Sequence, residues 1–63
     1  MPLVMIEGPE ISLNKKRELV AKIAEVISSV YGLPKQIITV VIHENPPENV
    51  GPGGELLIDR KRG

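Results

Sequence analysis

Pro2, directly after the initiating Met1, is the residue whose type and position could do chemistry by itself. Within a chain, a proline nitrogen is a tertiary amide with a delocalised lone pair and is not basic. Removal of Met1 would turn it into a secondary amine. An α-amino group titrates near ~7.7–8.0 when unperturbed, and an apolar pocket or a neighbouring cation lowers that toward neutrality. A base titrating near the working pH is suited to moving protons at carbon. A structural role is equally available, because a proline opening a strand forfeits no ladder hydrogen bond. Taken alone, Pro2 is explained by that role.

Other polar residues offer weaker chemistry. Lys15, Lys16 and Arg17 fall in the first turns of a helical pattern, where the macrodipole favours negative charge. They form either a solvated face, partly compensated by Glu10 and Glu18, or an anion site shared with the helix N-terminus. His43 and Glu44 are adjacent and would point to opposite faces of a strand, so they make no metal pair. His43 reads as a strand-end residue with a local hydrogen bond, and Glu55 as a turn or interface residue. With one His and no Cys, a zinc site is not expected.

The elements that position these residues are legible from periodicity. Leu3 to Ile6 is a continuous apolar run, predicted as a strand over 3–6 and ended by Glu7-Gly8-Pro9-Glu10. Ser12 is a plausible N-cap. Leu19, Ile23, Val26, Ile27 and Val30 follow at helical spacing. Gly32 then suits a left-handed closing position and Pro34 a stop, predicting a helix over 13–31. Ile37 to Ile42 is β-branched throughout and predicts a second strand over 37–42. Neither strand run alternates, which fits burial on both faces of a parallel sheet. The order is therefore βαβ, an α/β class. Gly51-Pro52-Gly53-Gly54 must turn, with glycines free to take positive φ. It lacks the Gly-Lys-Ser/Thr of a phosphate loop. Glu55 to Ile58 predicts a last short strand or hairpin arm, followed by the charged tail Asp59-Arg60-Lys61-Arg62.

The chain has 63 residues, which indicates a single domain over 1–63. A domain this small buries only about 60% of its unfolded surface, and small folds recover stability from disulfides, metals or partners. Cysteine is absent, so homo-oligomerisation is the expected source of buried surface, and the open edges of a two-stranded sheet call for the same cover. Eight basic and eight acidic side chains balance, and Tyr31 is the only aromatic. Both features argue against a nucleic-acid binder. No apolar run reaches the roughly 18 residues of a membrane span, and no signal peptide opens the sequence. A soluble cytoplasmic protein is expected.

Taken together, Met1-Pro2, Glu7-Gly8, the helix closing at Gly32-Leu33-Pro34, and Gly51-Pro52-Gly53-Gly54-Glu55-Leu56 resemble the tautomerase superfamily. The likeness covers nearly the whole chain and is nearest to the short-chain 4-oxalocrotonate tautomerase family. It implies a βαβ protomer, paired into dimers and assembled as a hexamer. It also implies an isomerase without a cofactor, in which an amino-terminal proline, here Pro2, shuttles a proton in a small enol or 2-oxo acid.

The chain departs from the family pattern where substrate is held. An arginine expected after the Glu-Gly pair is replaced by Ile11 when aligned from the helix side, since Pro9 follows Gly8. A second, expected in the second strand, falls at Thr39, and an aromatic wall residue falls at Val50. Stand-in cations are Lys15, Lys16 and Arg17, or Arg60 and Arg62 from another subunit. Thr39 could donate a neutral hydrogen bond to a developing enolate. The expected substrate-binding residues are therefore Lys16, Arg17, Thr39 and Val50. Two other functions compete: a non-catalytic oligomer of the same fold that binds an anionic metabolite, and a nucleic-acid or partner-binding module acting through Arg60-Lys61-Arg62.

Overall fold

The computed structural model describes residues 2–60. Met1, Lys61 and Arg62, invoked above, lie outside the described residues. Strand β1 spans Leu3–Gly8, helix α1 spans Leu13–Tyr31 and strand β2 spans Thr39–Glu44. The strands pair in parallel with Leu3 opposite Thr39 and Gly8 opposite Glu44. The helix crosses back between them, so its N-terminus lies at the end of the sheet where both strands finish.

The helix obeys its sequence signals. The Ser12 hydroxyl accepts from the Lys15 amide at 3.2 Å, satisfying one of the amides a helix start leaves without partners. At the other end Gly32 adopts φ 68°, a left-handed conformation that favours glycine. The amides of Gly32 and Leu33 both donate to the Ser28 carbonyl, at 2.9 and 3.2 Å, and the Ser28 hydroxyl donates to the Leu33 carbonyl.

Both strands differ from the expected spans. β1 continues through Glu7 to Gly8 rather than ending at Ile6. β2 starts later than 37 and runs on through His43 and Glu44. Lys35–Ile37 closes instead as a 3₁₀ turn after Pro34, with the Ile37 amide on the Pro34 carbonyl at 3.3 Å. Apolar patterning marks where side chains pack, whereas a strand ends where its backbone partners end. Here the ladder runs to the Asn45 amide, which donates to the Gly8 carbonyl at 2.8 Å.

The segment after β2 corrects a second expectation. Residues 55–58 form no strand: Leu57–Asp59 is a 3₁₀ turn, as are Pro47–Asn49 and Pro52–Gly54. A strand needs a neighbour, and among the described residues the sheet has only β1 and β2. The hairpin reduces to one backbone bond, from the Leu57 amide to the Val50 carbonyl at 2.7 Å. Gly53 and Gly54 take φ of 66° and 83°, the conformations the Gly-rich turn requires.

Within this single chain burial is one-sided along β1, whereas β2 is half-buried at Val40, Val41 and Ile42 alike, so the two-sided cover read from the apolar runs is only partly present. Along β1, Val4 and Ile6 are half-buried while Leu3 and Met5 remain 60% and 55% exposed. The parallel register places Leu3, Met5, Glu7, Thr39, Val41 and His43 on one face and Val4, Ile6, Val40, Ile42 and Glu44 on the other. The contact of Glu44 with Lys16 identifies the second face as the one the helix covers. Among the described residues no side chain is fully buried. The accessible surface is 5113 Å², whereas a self-contained globule of this mass exposes about 4000 Å². The radius of gyration is 15.2 Å, against about 11 Å for a compact chain of this length. Among the described residues, no helix is long and apolar enough to cross a membrane.

Candidate active site

Pro2 sits half-buried at the entrance to β1. Its carbonyl accepts from the Thr39 amide at 3.2 Å, the bond that begins the ladder. Pro2 and Thr39, expected as base and hydrogen-bond donor, therefore meet at one end of the sheet. The other expected residues lie elsewhere. Each strand holds six residues, so the sheet is about 20 Å long. Lys16, Arg17 and Val50 are all at its far end, where the helix begins and β2 gives way to the loop. One protomer thus places two of the five expected residues at one end and three at the other.

The basic first turns of α1 have a local explanation. The Lys16 ammonium pairs with the Glu44 carboxylate at 2.9 Å. The same Glu44 oxygen, Oε2, accepts from the Ile11 amide at 3.2 Å, just ahead of the N-cap. The anion beside this helix start is thus a side chain of the chain itself. The Lys16 ammonium, followed by the Ile11 amide, holds the Glu44 carboxyl below its usual range, because both favour the charged form. Arg17 Nη1 donates to Asn14 Oδ1 at 2.9 Å. Glu18 pairs with Lys22 at 2.7 Å rather than with the first-turn cations. Arg60, another stand-in, lies 3.5 Å from Glu55 and donates to the Pro52 carbonyl at 3.3 Å.

Sequence reasoning missed a polar cluster at the far end. Glu7 and His43 are opposite each other in the ladder, and His43 Nδ1 lies 2.7 Å from Glu7 Oε2. Asn45 Nδ2 donates to Glu7 Oε1 at 2.8 Å. The Asn45 amide first and His43 second lower the Glu7 carboxyl below its usual range. His43 thus bonds across the ladder to a residue 36 positions away rather than locally as expected, on the face opposite Glu44. The signal for the cluster is the register, which period-two alternation leaves open until pairing is known.

Beside the cluster lies an open groove of about 320 Å³, lined by Glu7, Gly8, Pro9, Asn45, Val50 and Leu57. That volume is within the range of small-molecule sites, and the mix of apolar walls with a few convergent polar groups is their usual chemistry. Val50 is the expected site residue that reaches it. Among the described residues, no three His, Cys, Asp or Glu side chains converge as a metal site would require.

Comparison with known proteins gives a consistent identification. Residues 2–60 match the model of the tautomerase enzyme family. A probable tautomerase of Campylobacter jejuni is 39% identical over 59 residues, spanning 90% of this chain and 87% of that protein. The crystal structure of DmpI from Archaeoglobus fulgidus superposes with a TM-score of 0.84 at 43% identity, covering 92% of this chain and all of that one. A 4-oxalocrotonate tautomerase homologue of known structure gives a TM-score of 0.87 at 28% identity, covering 98% of this chain and 100% of its own. With the βαβ fold and the order of its turns, these matches establish that the chain belongs to the tautomerase enzyme family, in its 4-oxalocrotonate tautomerase-like branch.

Proposed function

We propose that this tautomerase isomerises a small enol or 2-oxo acid with the Pro2 nitrogen, freed by removal of Met1, as its general base. The observation that carries the reading is the placement of Pro2. Its carbonyl is fixed by the Thr39 amide at 3.2 Å, so the backbone is held while the nitrogen stands at the free end of the strand. The neutral amine takes a proton from the dienol hydroxyl. The electron pair left behind forms the carbonyl as the double bonds shift. The protonated amine then returns the proton to carbon, so substrate and product have the same composition and no cofactor is consumed. The Thr39 hydroxyl is a neutral donor for the developing enolate oxygen. It lacks the charge assistance that roughly doubles hydrogen-bond strength.

Assembly completes this reading. Pro2 and Thr39 lie at one end of the sheet, and Val50, Lys16 and Arg17 at the other. They can contribute to a common site only across subunits. The exposed face carrying Leu3 and Met5 supports a homo-oligomer, for which we propose a hexamer built as a trimer of dimers, acting in the cytoplasm.

The test compares protein that retains Met1 with protein that has lost it, the two distinguished by intact mass, in ketonisation of a 2-hydroxymuconate-type dienol. Losing a positioned general base lowers rate by roughly 10²–10⁴-fold. The processed form is expected to be faster by about that factor. Equal rates would remove Pro2 from the mechanism.

A further inference from the structure

The groove beside Val50 has a chemical polarity opposite to that of a carboxylate pocket. Among the described residues, neither Lys nor Arg lines it. Lys16 is engaged with Glu44, whose position in the register puts it on the helix-covered face, whereas Glu7 stands on the other. At the polar end both oxygens of Glu7 already receive one donor, Asn45 Nδ2 on Oε1 and the His43 ring on Oε2. Each oxygen retains a further lone pair. Asn45 uses one of its two Nδ2 hydrogens on Glu7, and its Oδ1 has no partner among the described residues. The groove thus offers acceptors at one end, with Pro9, Val50 and Leu57 as apolar walls.

From this arrangement we infer that the groove is the subsite for the distal end of the substrate, and that it selects a hydrogen-bond-donating group, an ammonium or hydroxyl, over a second carboxylate. The inference rests on the reading above, in which Val50 belongs to the substrate site. The physical reason is direct. A carboxylate entering the groove meets the Glu7 charge and the Asn45 carbonyl, with only the second Asn45 N–H to offset their repulsion. An ammonium finds a fixed anion whose orientation is already set by Asn45 and His43, so little is lost in ordering it. A methyl-terminated chain gains only the apolar walls.

The test uses 2-oxo acids that share the reacting end and terminate in a primary ammonium, a methyl or a carboxylate. The ammonium compound is expected to exceed the carboxylate in kcat/KM by about tenfold, the low end for hydrogen bonds to an exposed charged group. The methyl compound should fall between. Glu7→Gln should collapse the preference, and Val50→Arg, which adds a cation to the groove, should reverse it. A preference for the carboxylate in the native enzyme, or a ratio unmoved by Glu7→Gln, would overturn the inference. A second measurement separates this from failure of the proton-transfer reading. If none of the three compounds turns over, amide chemical shifts of Gly8, Asn45 and Val50 are followed in the assembled protein during titration with butylammonium or butanoate. Butylammonium should move them and lose that effect in Glu7→Gln. Movement by butanoate alone, or by neither ion, would sink the subsite.

Discussion

Pro2 has a testable chemistry because its nitrogen is either an amide or an amine, and only the amine is a base. In the processed form, kcat/KM should rise with pH through the titration of Pro2, since the protonated amine has no lone pair to offer. Pro2→Ala keeps a free amine at the same place, but a primary and less constrained one. It is expected to be slower than processed native protein and faster than protein blocked by Met1, in the same ketonisation assay. A Pro2→Ala rate equal to native would show that any terminal amine suffices. The cations at the helix start separate in a similar way. Lys16 is occupied by Glu44 at 2.9 Å and Arg17 donates to Asn14. Arg17→Ala should therefore change KM for a dicarboxylate and for a monocarboxylate by the same small factor. A selective rise for the dicarboxylate would assign Arg17 to the remote carboxylate instead.

At the scale of the element, α1 carries its own boundaries. Ser12→Ala removes the acceptor for the Lys15 amide and is expected to lower stability by about 1 kcal/mol, read as a shift in urea midpoint at fixed protein concentration. The Glu44 contacts that tie β2 to the helix start are sensitive to acid. Its carboxyl is held below the usual 4.5 by Lys16 and the Ile11 amide. A lowered folded value means that its stabilisation is present above 4.5 and is lost as pH falls through the lower folded value. Glu44→Gln should therefore destabilise the protein at neutral pH and converge on native stability at pH well below 4.5. A gap independent of pH would show that packing rather than charge is responsible. Glu7 shares the direction of this dependence, so it is the difference between native and variant that isolates Glu44.

The whole molecule has too little interior to stand alone. No described side chain is fully buried, and the sheet face opposite the helix leaves Leu3 and Met5 more than half exposed. Met5→Asp places a charge in the middle of that face, opposite Val41 in the ladder. Sedimentation at micromolar concentration should show an oligomer for the native protein, and smaller, less helical species for the variant. A native protein that is a folded monomer would remove both the assembly and any site shared between subunits.

How much of this was legible in the sequence depends on how local each cause is. Ser12, Gly32 and Pro34 bound the helix through hydrogen bonds and backbone angles close in sequence, and the expected span of 13–31 matches α1. The β-branched run marked a second strand, and Pro2 marked the candidate base. Local signals also misled. Pro34 drew Ile37 into a 3₁₀ turn, and residues 55–58, strand-like in composition, have no strand beside them among the described residues. What only tertiary structure decided is long-range. Parallel register joined Glu7 to His43 and Asn45, residues separated by 36 and 38 positions. The returning helix brought Lys16 to Glu44 and set the candidate residues at opposite ends of the sheet. Composition could identify these charges, but pairing depends on register and on the direction of the crossover, and those are fixed only when strand and helix pack together.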